Sequence, residues 1–367
     1  MTNRAEARIS LEAIKSNALN VMALLNGGCR MLAVVKADAY GHGAVPVAKA
    51  LYGIGVRNFA VATATEGAEL RAAGVEGDIL VLGKTPVEER DILAEHRLCQ
   101  TCDSAEYAEA IVKDGAPHIH IKVDTGMSRL GFYCHDVKDV DLCASQISPV
   151  FNIPNIKVEG IFTHFAVADE SDEECAVFTK KQFAAFKGVT DKLTSLGFDI
   201  GLRHCCNSAA TIRYPEMHLD MVRQGIGLYG LERSVPDFPF TPAMTLCARV
   251  AAVGELQSED TVSYGRTYKA DRPVRRAVIS LGYADGMPRL LSGRYSITVR
   301  GKKVPIIGRI CMDMFMVDVS DIECHEGDMA VIFGKGGEVS EMADIIGTIN
   351  YELVCGITRR VPRIYEE

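Results

Sequence analysis

The stretch Met31–Thr63, MLAVVKADAYGHGAVPVAKALYGIGVRNFAVAT, decides the fold. It opens on an apolar run, MLAVVK, passes through AVPVAKALYGIG with apolar residues near helical spacing, and ends in a second apolar run, NFAVAT. Strands that alternate with helices imply parallel pairing, because the crossover returns the chain to the same end of the sheet. The pattern then recurs through DILVLG, RLCQT, HIHIKVDTG, IKVEGIFTHF, LRHCCNS and DMVRQG. Amphipathic segments such as ATEGAELRAAG and DEECAVFTKKQFAAFKGVTDKLTSLG separate most of these runs. Eight strands with intervening helices over roughly 200 residues predict a (β/α)8 barrel of the TIM type.

After LYGLERS the texture changes. TLCARVAAVGEL, RRAVISLGYA, YSITVRG, KVPIIG, CMDMFMVDVS and DMAVIFG follow one another as strands, with one short helix near VSEMADIIG. The proline-rich SVPDFPFTP between the two textures reads as a linker. The expected division is therefore an α/β barrel over residues 1–237 and a mainly β domain over 238–367. A chain of 367 residues is long enough for two such cores.

Lys and Arg number 40 against 48 Asp and Glu, for a net charge of -8. No dense basic cluster could neutralise a row of phosphates, which argues against nucleic acid as a partner. No stretch approaches the roughly 20 apolar residues of a membrane-spanning helix, and MTNRAEARIS has no apolar signal region, so a cytoplasmic protein off the membrane is expected. The twelve cysteines are scattered through apolar runs, where free thiols behave as small hydrophobes. The single CxxC, Cys99 to Cys102, has no second pair at metal spacing and reads as a buried strand; no metal is expected.

In a barrel of this kind the chemistry gathers at the C-terminal ends of the strands. Lys36 ends the first run, Arg129 follows the fifth, His164 ends the sixth, Asn207 and Ser208 follow the seventh, and Arg223 ends the eighth. Each alone is ordinary, since a lysine often caps a strand and a histidine often sits satisfied in a core. Together they make one rim too polar for a purely structural face. The loops after strands seven and eight often bind phosphate in these barrels, and here they are NSAAT and QGIGLYG. Ser208 offers a hydroxyl, and Gly225 and Ile226 offer backbone donors. A phosphate site and a strand-end lysine on one rim suggest pyridoxal phosphate, whose aldehyde condenses with a lysine amine.

VVKADAYGHG closely resembles the cofactor-binding signature of the alanine racemase family. The resemblance continues in order through KVDTGMSRLGF, GIFTHFAVADE, NSAAT, MVRQGIGLYG, VSYGRTY, LGYADGMPR, GRICMDMFMVDV and INYELVCGITRRVPRIY, nearly the whole chain. RAEARISLEAI departs, with alanine where the family often carries tryptophan. The resemblance implies that Lys36 is the covalent anchor of pyridoxal 5'-phosphate, and that Tyr40, Ser208, Gly225, Ile226 and Tyr351 hold its phosphate, beside Asn207. It further implies Arg129 at the phenolic oxygen and Arg223 at the ring nitrogen. Tyr264 would be a second catalytic base, and Met312, with Arg129, would lie near the substrate carboxylate. Lys122 corresponds to a position that is carbamylated in many relatives; a plain lysine paired with a carboxylate is the alternative. The active unit would be a homodimer, each β domain supplying Tyr264 and Met312 to its partner, with D-alanine made for peptidoglycan.

The chemistry explains the residue types. A racemase removes the α-proton from either enantiomer and returns one on the opposite face, so two bases are economical. A tyrosine with a pKa of about 10 needs neighbours that favour its phenolate; His164 backed by Arg223 is the expected network, with Arg289 a further candidate. Arginine at a ring nitrogen cannot take up that nitrogen's proton, which suits proton exchange better than decarboxylation. Among competing readings, a serine-preferring racemase of this family would tend to carry asparagine in place of Tyr351. A barrel decarboxylase would place an acid where Arg223 stands. A non-enzymatic carrier of the cofactor would lack residues 240–367.

Overall fold

The computed structural model describes residues 3–112, 118–334, 336 and 338–366. It divides into two compact units, one of Lys15–Ala39 and Ala44–Phe240, the other of Met1–Ile14, Tyr40–Gly43 and Thr241–Glu367.

In the first unit all eight runs are strands: Arg30–Val34, Asn58–Val61, Asp78–Val81, Cys99–Cys102, His118–Asp124, Lys157–Phe162, Leu202–His204 and Met221–Gln224. They pair in parallel, with Leu32 opposite Asn58, Leu80 opposite Cys99 and Lys122 opposite Phe162, and the eighth returns to the first, Arg223 opposite Leu32. Between the seventh and eighth, Asp220 N–H donates to Arg203 O at 3.1 Å and Arg223 N–H to Cys206 O at 3.0 Å, closing the barrel. The strands are mostly apolar and buried on both faces, as in Asn58–Val61, because helices cover the outside and layered side chains fill the inside.

The fifth strand alternates between polar and apolar residues. His120, Lys122 and Asp124 share one face and Ile119, Ile121 and Val123 the other, by the two-residue period of a strand, and all six are buried. Cys99 and Cys102 lie buried in the fourth strand, as read.

The helices begin where the sequence supplies caps. Asp172 accepts from Cys175 N–H at 2.8 Å and starts Glu173–Ser195, whose first-turn Glu173 and Glu174 suit the positive end of the helix dipole. That helix buries Ala185, Phe186, Val189 and Leu193.

In the second unit Met244–Leu256, Val274–Ile279, Phe315–Asp318, Lys302–Ile307, Ser296–Val299 and Met329–Phe333 form an antiparallel sheet, in which Met244–Leu256 pairs with both Val274–Ile279 and Met329–Phe333 and so closes a ring. The helix read near VSEMADIIG is Glu338–Ile346, followed by Asn350–Cys355. The N-terminal segment differs from the expected division at residue 237. Ala5–Ser10 pairs antiparallel with Met244–Leu256 and parallel with Arg363–Glu366, so the stretch up to Ile14 belongs with the β unit, and the break lies after Phe240. The physical reason is the alternating burial of AEARIS, whose Ala5, Ala7 and Ile9 need a sheet to pack on.

Candidate active site

The first barrel strand hands the chain to an unusual turn. Lys36 is half-buried, and Ala37, Asp38, Ala39 and Tyr40 all have φ of 52 or 53°. This is a left-handed helical turn of residues that carry Cβ atoms, a conformation disfavoured by about 1–2 kcal/mol per residue. Three contacts hold it. Ala39 N–H donates to Val35 O at 2.9 Å, Ala37 N–H donates to Glu66 Oε1 at 2.7 Å, and Ala44 N–H donates to Asp38 Oδ1 at 2.7 Å. The other Glu66 oxygen accepts from Ala62 N–H at 2.7 Å and, in the capping box that starts helix Ala64–Ala72, from Thr63 N–H at 3.4 Å. Two strand ends are thus tied to one carboxylate.

Around the same rim four basic side chains act on one imidazole. His164 is pushed well below the usual histidine range by burial first, then by Arg223, Lys122, Arg129 and Lys36. Arg223 is the best anchored of them. Its Nη2 reaches Thr163 O, Cys205 O and His164 Nδ1 at 2.8, 3.0 and 3.1 Å, and its Nη1 reaches His204 Nδ1 at 3.0 Å. An arginine only donates, so Nδ1 of His164 accepts and its proton sits on Nε2. Burial lowers Arg223 to about 10, which leaves it charged at neutral pH. Lys122 donates to Val123 O at 2.8 Å, lies 5.4 Å from the Phe162 ring centroid, and is lowered to about 7 by burial, with Arg223 and Arg129 adding to it. Arg129 is exposed at the end of a loop that Asp124 organises, accepting from Gly126 and Ser128 N–H at 3.1 and 3.0 Å. Burial would raise the Asp124 carboxyl, but these donors and His135 hold it below its ordinary value.

After the seventh strand, Asn207 caps helix Ser208–Arg213 by accepting from Ala210 N–H at 2.9 Å. Ser208 Oγ accepts from Gly225 and Gly227 N–H at 3.0 and 3.2 Å, drawing the loop after strand eight onto the start of that helix. Ile226 opens a 3-10 turn there, Ile226–Tyr229, secured by Tyr229 Oη donating to Val34 O at 2.9 Å and Asn17 Nδ2 to Leu228 O at 3.0 Å. The first N–H groups of a helical turn have no partner within it, so the N–H groups of Ser208, Ala209 and Ile226 and the Ser208 hydroxyl form a donor set suited to phosphate oxygens.

The remaining predicted residues lie in the second unit. Tyr40 is buried edge-on against Tyr351, ring centroids 6.1 Å apart, and burial pushes its phenol up, keeping it a neutral donor. His42 Nδ1 lies 2.9 Å from Tyr40 O. Gly41 has φ +80° and faces Val354 O so closely that a Cβ would collide, which accounts for that glycine. Tyr264 and Met312 are 72% and 52% exposed. Ser263 Oγ donates to Arg309 O at 2.6 Å and Ala284 N–H to Met312 O at 3.0 Å, which fixes the turns that carry them. Arg289 is exposed on the turn Arg289–Leu291.

Sequence reading missed Glu66, Thr163, His204 and His120. Only His120 had a signal, the polar alternation of HIHIKVD. A cavity of about 670 Å³ opens at the opposite mouth of the barrel, among strand-start residues such as Arg30, Asn58 and Asp78. The chemistry-bearing side chains gather at the other end, except His120, which also lines this cavity.

The family model described as alanine racemase, N-terminal domain, matches residues 9–233, and that described as alanine racemase, C-terminal domain, matches 243–365. The chain is 40% identical to the alanine racemase of Halothermothrix orenii over 100% of its own length and 98% of the relative's. It is 42% identical to that of Carboxydothermus hydrogenoformans over 98% of each. Among solved structures, an alanine racemase of Clostridium difficile 630 superposes with a TM-score of 0.93 at 36% identity, covering 100% of this chain and 97% of that one. The Bacillus anthracis alanine racemase with bound L-Ala-P gives 0.91 at 33% identity, covering 100% and 96%.

Proposed function

Since the chain belongs to the alanine racemase family, we propose that it interconverts L-alanine and D-alanine with pyridoxal 5'-phosphate, using Lys36 and Tyr264 as bases on opposite faces of the substrate. The observation that carries the reading is the basic rim, where Arg223 Nη2 donates to His164 Nδ1 at 3.1 Å and Lys36 stands at the end of the first strand. The donor set at Ser208 and Ile226 fits the phosphate, and Tyr40 and Tyr351 would add to it. When bound, the cofactor supplies an electron-withdrawing ring that acidifies the substrate's α-proton.

The chain's own residues do the rest. Lys36 anchors the cofactor and then holds or returns the α-proton on one face at Nζ. Tyr264 does so on the other face through its phenolic oxygen, and Nε2–H of His164 is the donor that would favour its phenolate. Arg223 stays positive at the ring nitrogen without taking a proton, which restrains competing reactions. Arg129, with Met312, would orient the substrate carboxylate. Lys122, lowered to about 7, is a neutral amine for part of the time at neutral pH. Its nitrogen can bond to the carbon of carbon dioxide and release a proton to solvent, giving a carbamate that would brace Arg129.

Tyr264 and Met312 stand out from their unit, and we assign both to the active site of a second protomer in a homodimer. Sedimentation should find active dimers; a fully active monomer contradicts the assignment. We place the enzyme in the cytoplasm, supplying D-alanine for peptidoglycan. The cysteines of the described residues form no disulfide, which suits a reducing compartment, and no helix among the described residues is long and apolar enough to cross a membrane. The deciding experiment is parallel kinetics with L-alanine and L-serine, read as formation of the D-enantiomer. Alanine should be strongly preferred because Tyr351 is retained; preference for serine would move the chain to the serine-specialised branch.

A further inference from the structure

Arg223 is the visible end of a longer chain of hydrogen bonds through the barrel. Its Nη1 donates to His204 Nδ1 at 3.0 Å, and His204 Nε2 lies 2.7 Å from Nδ1 of His120. Because the guanidinium can only donate, the direction of every bond is set. His204 accepts on Nδ1, carries its proton on Nε2 and donates to His120, which accepts on Nδ1 and carries its own proton on Nε2. Phe162 stacks on His204 with centroids 4.8 Å apart and planes 2° from parallel, which resists the ring flip that would put carbons where the two nitrogens make their hydrogen bonds.

The backbone is shaped to admit His120. The ladder between the fifth and sixth strands shifts register between Ile119 and His120, inserting Glu159 and bringing Gly160 opposite His120. A Cβ at Gly160 would lie 2.6 Å from His120 Cε1, 2.7 Å from His120 Nδ1 and 2.6 Å from Leu202 O. A bulge and a glycine thus open a slot for one ring, and bulges of this kind re-aim side chains beside active sites.

We propose that His120 is a positioning residue for the reaction: through His204 it locks the tautomers that accept from Arg223, holding the guanidinium in place and keeping its neighbouring imidazoles neutral. A proton added to His120 Nδ1 would face the His204 N–H, and one added to His204 Nδ1 would face the guanidinium, so neither ring charges without breaking the chain. Burial acts first against a proton on either ring; beyond it Glu159, engaged by His118 and Lys157, favours a proton on His120, Arg223 opposes one on both rings, and His120 and Lys122 oppose one on His204. A single positive charge therefore faces the ring nitrogen across the working pH range, given the role of Arg223 proposed above.

The first test is nitrogen-15 histidine NMR of the unsubstituted holoenzyme, which should show His204 and His120 neutral and protonated on Nε2 throughout the neutral range. An imidazolium, or a proton on His204 Nδ1, overturns the proposal. In the second test His120→Phe leaves the His204 donor buried without an acceptor, so kcat should fall about tenfold with KM little changed. The cofactor absorbance should also gain a pH dependence absent from the parent. His120→Gln, whose carbonyl can accept the same proton, should recover most of the rate and remove that dependence. Equal impairment of both variants, or none in either, overturns the proposal. If His120→Phe fails to fold, the NMR result decides alone. Failure of the racemase reading would appear separately, as absent turnover in the unsubstituted enzyme.

Discussion

Glu66 touches no substrate, yet its removal should disable Lys36. Its two oxygens accept from Ala37 and Ala62 N–H, each at 2.7 Å, and Ala37 is the residue directly after Lys36. The turn that follows holds four left-handed residues, a strain of about 4–8 kcal/mol in all. Hydrogen bonds to a charged acceptor contribute about 1.5–3 kcal/mol each. Glu66 is half-buried, so water would replace part of what is lost. Glu66→Ala should then lower global stability by about 2–4 kcal/mol in urea unfolding followed by circular dichroism. The larger effect should be local, since the turn loses a restraint comparable to the strain of one or two of its residues. Measured kcat/KM for L-alanine should drop at least tenfold, with a weakened cofactor band, while Glu66→Gln falls between. A Glu66→Ala enzyme within twofold of the parent in kcat/KM would refute the idea that this carboxylate holds the lysine's turn.

Lys36→Ala should abolish the visible absorbance of bound cofactor; a purified variant that keeps the band would overturn the anchor assignment. Tyr264→Phe should bind cofactor normally and lose nearly all racemisation, and an unchanged rate would mean another group serves that face. Lys122, held at about 7 against an unfolded value of about 10.4, should make stability rise with pH between those values, because the unfolded chain binds the extra proton there. In carbonate-free buffer Lys122→Met should therefore gain more over the parent near pH 7 than near pH 9, by urea midpoints. A gain that does not change with pH would contradict the buried-amine account. Supplying isotope-labelled bicarbonate should add a carbamate carbon signal to the parent that Lys122→Met lacks.

Much of the barrel was legible because strands buried on both faces advertise themselves as short apolar runs between helical patterns. The rim residues Lys36, His164 and Arg223 could be read from position alone, since strand ends in such a barrel share one face. The pairing of Ala5–Ser10 was not legible. Its alternation marks a strand, but nothing local names Met244–Leu256 as its partner. The left-handed turn was also hidden, because positive φ is ordinarily read from glycine or asparagine, and here alanine, aspartate and tyrosine adopt it. Glu66 sits in an unremarkable helix start, and its second task depends on a strand end that only folding brings near. His204 lies in the LRHCCNS run and declared nothing until Arg223 and His120 were seen on either side of it.

The sheet of the second unit has a kinetic consequence. Ala5–Ser10 leaves the ribosome long before either of its sheet neighbours, Met244–Leu256 and Arg363–Glu366. The barrel between them has mostly local crossovers and can form during synthesis, while the first strand waits as an unpaired edge. Such an edge is a template for pairing with other chains. The alternating Glu6 and Arg8, which form an ion pair at 2.8 Å in the finished sheet, put charge on that waiting strand and discourage the wrong partner.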